Sequence, residues 1–190
     1  MGRIAVLDAC TLFPGLLRHV LIQLAVDGLY APRWSDEINA EWSRALLRRR
    51  PALPASSIAR TIQLMNEALP GAKVTVQSSF KNRRSCRDPK DDHVLHVAYE
   101  TSALCIVTFN VGDFPSVNHD AQQPRVITPD QWLCSIWTHA PMQAQSSAQR
   151  VMRRLQRPPM ALGAFCDRLA LEGAANASRL IHALGDHPSH

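Results

Sequence analysis

Hydrophobic and polar positions alternate in two rhythms along the first third of the chain. Ile4 to Leu7 is a short, unbroken apolar run that ends on Asp8. Such a run suits a parallel strand buried on both faces. From Thr11 to Leu29, the residues Leu12, Leu16, Leu17, Val20, Leu21, Leu24 and Val26 recur at helical spacing. That spacing predicts an amphipathic helix, with Pro14 in its first turn, where proline is tolerated. Tyr30 to Trp34 reads as a second extended piece. Ser35 then has the character of an N-cap, with Asp36 and Glu37 near the positive end of the helix dipole. This helix should run to about Arg49 and stop before Pro51. A further helix is expected from Pro54 to Leu69, capped near Ser56 or Ser57, and a third strand from Lys73 to Val76.

Phe80 to Lys90 is polar and basic and reads as a loop. Asp91 or Asp92 opens a helix that runs through Ala98 to about Ser102. Leu104 to Thr108 is predicted as a strand, Asn110 to Phe114 as a turn, and Arg125 to Thr128 as a last strand before a helix beginning at Pro129. Strands alternating with helices imply an α/β sandwich around a mostly parallel sheet. Beyond Pro141 the strand rhythm stops. Gln143 to Gln156, Met160 to Leu171 and Gly173 to Leu184 are helical in pattern, the first two separated by Pro158-Pro159. The expected organisation is an α/β domain over residues 1–138 and a helical C-terminal extension over 139–190.

A length of 190 residues suits one ordinary domain with a small appendage. A 46% hydrophobic content supports a real core. The net charge of +5 permits a polyanionic partner such as nucleic acid without requiring one. The five cysteines are odd in number, and no two form a C-x-x-C pair. That points to reduced thiols in a cytoplasmic protein and away from a zinc site. No charged leader precedes the first strand, and the apolar run around Val20 to Val26 is too short to cross a bilayer. The expectation is therefore a cytoplasmic protein with no signal peptide and no membrane partner.

Ligands of open α/β sheets bind outside the carboxyl ends of the strands. Asp8 and Thr108 fall at two such ends, Asn110 and Asp113 lie in the turn after the second, Asp92 opens the preceding helix, and Glu41 lies two turns into the helix capped by Ser35. Carboxylates gathered at one place repel one another unless a cation relieves them, and Mg²⁺ or Mn²⁺ takes hard oxygen ligands. Such ions promote phosphodiester cleavage.

Each acid also has a plain structural role open to it. Asp8 or Asp92 could only cap a helix, Glu41 could only pair with Arg44 or Arg48, and Asp113 could only shape a turn. Basic groups occur at Arg48-Arg49-Arg50, from Lys81 to Arg87, and as a helical stripe of Arg150, Arg153, Arg154 and Arg157. The loop from Lys81 to Arg87 is the better candidate for RNA, since it leads into Asp92. The stripe reads by default as a solvated face. His93 and His96, at i,i+3, could form a metal pair, but read by default as ordinary, partly exposed residues.

The ordered set resembles the PIN domain family. Ile4-Ala5-Val6-Leu7-Asp8-Ala9-Cys10 resembles its opening strand, and Ser35-x5-Glu41 its second motif. Asp92-His93-Val94-Leu95, followed by Ile106-Val107-Thr108-x-Asn110-x-x-Asp113-Phe114, resembles its third and fourth motifs over residues 3 to 135. The resemblance implies a PIN-like three-layer sandwich and a VapC-like toxin. Such a protein is a Mg²⁺- or Mn²⁺-dependent endoribonuclease acting on RNA such as tRNA or rRNA, held inactive by a cognate antitoxin, with a homodimer also implied. It assigns Asp8, Glu41 and Asp92 as core acids, with Asn110 or Asp113 completing the metal shell, Thr108 orienting a ligand, and Asp88 or Asp91 assisting. The C-terminal helices resemble the extension of longer-chain toxins of this kind.

Competing expectations are a catalytically inactive PIN-fold RNA-binding module, a phosphotransferase of the haloacid-dehalogenase type, and a plain interaction protein. The phosphotransferase class wants a second Asp two residues after the first, and Cys10 stands there.

Overall fold

The structure is a computed structural model that describes residues 3–77, 86–114, 123–155 and 160–185. Four short strands, β1 (Ile4–Leu7), β2 (Ala31–Arg33), β3 (Cys105–Val107) and β4 (Arg125–Ile127), form one parallel sheet in the order β2-β1-β3-β4. Val6 pairs with Arg33 on one side and Ile106 on the other, and Ile106 pairs in turn with Val126. Ala5, Val6, Leu7, Ile106 and Val107 are completely buried, as their unbroken apolar runs require. The chain leaves β1 for β2 on one side and later returns to β3 on the other. The carboxyl ends of β1 and β3 therefore mark a topological switch point, where open α/β sheets bind their ligands.

The helices follow in chain order: α1 (Ala9–Leu12), α2 (Gly15–Val26), α3 (Asp36–Arg49), α4 (Ala55–Ala68), α5 (Asp92–Glu100), α6 (Pro129–His139), α7 (Pro141–Leu155), α8 (Leu162–Leu171) and α9 (Ala175–Gly185). The long helix expected after β1 is split. Pro14 has no N–H with which to continue α1, and its extended ψ of 130° makes it the N-cap of α2 rather than a first-turn residue. Residues 73–76 form no strand. Lys73 makes a single parallel bridge to Trp34, with Trp34 N–H donating to Ala72 O and Val74 N–H to Trp34 O. The expected loop from Phe80 falls largely on residues 78–85, outside the described residues; at its end Pro89–Asp91 makes one 3-10 turn.

By contacts the chain forms two compact units, residues 1–13 with 30–127 and residues 14–29 with 128–190. In the first, α5 packs on β1 and β3, and α3 packs against α1, α4 and α5. Ser35 caps α3 by accepting the Ile38 N–H, and Ile38, Asn39 and Trp42 face inward. The opposite face of α3 is thereby left to Glu37, Glu41, Arg44 and Arg48.

The second unit is wholly helical: α2 packs on α7, and α9 on α6, α7 and α8. Pro14 offers α2 no side-chain cap, and Glu172 Oε2 instead accepts the Leu17 N–H at 2.8 Å. Asp130 likewise accepts the Ala177 N–H near the start of α9. Asp27, just past α2, accepts from Ser147, Arg150 and Gln23, and Arg154 donates to Gln23 Oε1. Two arginines of the expected solvated stripe thus tie α7 to α2; Arg157 lies outside the described residues. Gly173 ends α8 with φ at +96°, a left-handed conformation suited to glycine.

Candidate active site

The carboxylate of Asp8 sits at the switch point, buried, and held on both oxygens. Its Oδ1 accepts the Ala9 N–H at 2.5 Å. Its Oδ2 accepts the Thr108 hydroxyl at 2.6 Å and the Cys10 thiol at 3.0 Å. The backbone supports this arrangement from β3: the Asp8 N–H donates to Val107 O at 3.1 Å, and Thr11 Oγ1 donates to the same carbonyl at 2.9 Å. Thr108 is itself completely buried, and its hydroxyl accepts the Asn110 N–H. Asp8 does cap α1, but two side-chain donors converge on it besides, Cys10 from α1 itself and Thr108 from the end of β3.

Glu41 approaches from α3. Partial burial and the charge of Asp8 push its carboxyl above the usual range, against the opposing pull of His93, Arg44 and Arg48. His93 Nδ1 donates to the Lys90 carbonyl at 2.7 Å, which leaves Nε2 facing Glu41 Oε2 at 3.5 Å. Asp91, at the N-cap of α5, is pushed up to about 6, first by burial and then by the charges of Asp8, Glu41, Asp88 and Asp113. Asp91 therefore feels Asp8, Glu41 and Asp113 from three other segments and Asp88 from its own. Asp92, expected among the core acids, turns its carboxylate to the chain before it and accepts the Cys86 N–H at 2.6 Å.

Over residues 4–112, more than half of the chain, the sequence matches the family model of the PIN domain. The chain belongs to the PIN domain family. No curated protein and no solved structure matches it significantly. PIN domains are nucleases, so this PIN domain belongs to a hydrolase family whose substrates are nucleic acids. No helix among the described residues is long and apolar enough to cross a membrane.

PIN nucleases typically use divalent metals. The donor set here is oxygen-rich and mutually repulsive, which is the chemistry a hard divalent cation relieves. Among the described residues no group of three or more His, Cys, Asp or Glu side chains is arranged to hold an ion as it stands. That is compatible with Mg²⁺, which keeps several waters and needs only one or two carboxylates besides substrate phosphate.

The other expected residues are distributed as follows. Asp113 ends the 3-10 turn Val111–Asp113; its charge reaches Asp91 and its carbonyl accepts the Arg87 N–H. Asn110 enters that turn through its backbone and lies exposed. Most of the basic loop from Lys81 lies outside the described residues.

Cys10 and His93 make contacts that residue type and spacing do not show. Burial, then the Asp8 charge, pushes the Cys10 thiol up to about 12, so it stays protonated and donates. Its position two residues after Asp8 was legible; its hydrogen bond was not, because that depends on where β3 ends.

Proposed function

We propose that this PIN domain is a Mg²⁺- or Mn²⁺-dependent endoribonuclease in which Asp8, Glu41 and Asp91 are the metal-holding acids, with Asp113 beside them. The observation that carries this reading is the crowding of Asp91 by four other carboxylates at the switch point of the sheet. Those acids would hold the divalent ion, whose chemistry there would be water activation and charge stabilisation at the leaving oxygen. The chain's own contribution is orientation. Ala9, Thr108 and Cys10 fix both oxygens of Asp8 before substrate arrives, so no rearrangement of that group is needed. Glu41 faces His93 Nε2 across the site, and Asp92 secures the approach to α5 through Cys86.

The toxin role, a cognate antitoxin, tRNA or rRNA as target, and a homodimer rest on the resemblance to VapC-like proteins. The division into a nuclease part, 1–138, and an extension, 139–190, rests on the end of the strand rhythm beyond Pro141 and on the same resemblance.

The test is cleavage of labelled RNA by the purified chain with Mg²⁺, Mn²⁺ or EDTA, alongside growth after induced expression. Cleavage and growth arrest are expected with metal, lost in Asp8→Asn and Asp91→Asn, and largely kept in Asp92→Asn. An active Asp91→Asn beside a dead Asp92→Asn would overturn the acid set. Intact RNA under every condition, with no arrest of growth, would leave the inactive RNA-binding module as the better reading.

A further inference from the structure

The exposed face of α3 carries Glu37, Glu41, Arg44 and Arg48, spaced so that all four lie along one stripe. The stripe is acidic in its first half and basic in its second. It forms one wall of a groove of about 560 Å³, whose other wall is Lys90 and His93. Arg44, Arg48 and Lys90 are exposed, and among the described residues none of the three is committed to an ion pair with a carboxylate. Both guanidiniums lie close enough to Glu41 to lower its carboxyl against burial.

Resting on the nuclease reading above, we infer that this groove seats the phosphodiester backbone of single-stranded RNA on one side of the scissile bond. Arg44, Arg48 and Lys90 are the positioning residues. The charge order decides the direction. A phosphate is repelled from the Glu37 end unless a cation covers the acids, whereas the Arg48 end attracts it without one. From Glu41, Arg44 stands about 4.5 Å and Arg48 about 10.5 Å along the helix axis. That reach is enough to meet neighbouring phosphates of one strand.

The experiment is equilibrium binding of a labelled, mixed-sequence RNA 12-mer to the full chain in EDTA, where no cleavage occurs, over a series of salt concentrations. Each of Arg44→Gln, Arg48→Gln and Lys90→Gln should reduce the slope of log affinity against log salt by about 0.7. The triple variant should bind about ten-fold more weakly at low salt, and in the cleavage assay raise KM while kcat stays within about two-fold. Arg60→Gln, outside the groove, should match wild type. A DNA 12-mer should lose affinity in parallel, since the seat is for phosphate. An unchanged slope in the triple variant would overturn the groove, as would a duplex binding better than the single strand. The two readings fail separately: groove-dependent binding without cleavage sinks only the nuclease reading, and cleavage with an unaltered slope sinks only the groove.

Discussion

Asp91 is an acid whose folded environment favours the proton. Below about pH 4 both folded and unfolded chains carry it; between about pH 4 and 6 only the folded chain does. The metal-free protein should therefore lose stability as pH rises through that window. Asp91→Asn should remove the loss, stabilising the metal-free protein at pH 7 by on the order of 1 kcal/mol and raising its melting temperature accordingly, since solvent screens a group this exposed. Thermal melts of both proteins at pH 4 and pH 7 in EDTA check this; a variant equally destabilised at both would contradict it. A second expectation concerns Cys10, which donates to Asp8 and is pushed up to about 12. Thiol reagents at pH 8 should label it slowly in the folded chain and fast once unfolded. The sequence makes an acid at the head of α5 evident, but not which one. Adjacent helix-start residues point about 100° apart, and Asp91 and Asp92 are the same residue type. Only the placement of Cys86 tells which carboxylate the backbone uses.

At the scale of elements, α3 is the piece most legible in the sequence. Ser35, Asp36, Glu37 and the inward Ile38 and Trp42 all specify the same helix, and its limits, Asp36–Arg49, are those expected. Ser35→Ala should cost about 1 kcal/mol by freeing the Ile38 N–H, and should lower activity as well by loosening the base of the helix that carries Glu41. A melt with an activity assay at low temperature separates the two effects. Elements were misjudged where tertiary pairing decides. Lys73 to Val76 has strand-like residues yet only one bridge to Trp34, because Ala72 and Val74 clasp that residue alone. Pro14 was placed in a first turn because the apolar rhythm runs straight across it, while its missing N–H divides the helix.

At the scale of the whole molecule, the second unit is held by polar ties as well as apolar packing. Asp27 is opposed by burial, yet hydrogen bonds from Ser147, Gln23 and Arg150 outweigh it and hold the carboxyl below its usual range. The stability it contributes is present above about pH 4 and fades as pH falls further. Asp27→Ala should destabilise this unit by about 2 kcal/mol at pH 7, read by urea unfolding, with Arg150 and Ser147 left without their acceptor. Pattern alone gave α7 a solvated arginine stripe, because a helical wheel cannot show that Asp27 and Gln23 wait opposite. The same ties have a consequence during synthesis. α2 leaves the ribosome roughly 125 residues before α7, a delay on the order of 6 to 25 seconds at ordinary elongation rates. For that interval α2 has no α7 to pack on, which makes the nascent chain at this stage a natural client for a chaperone.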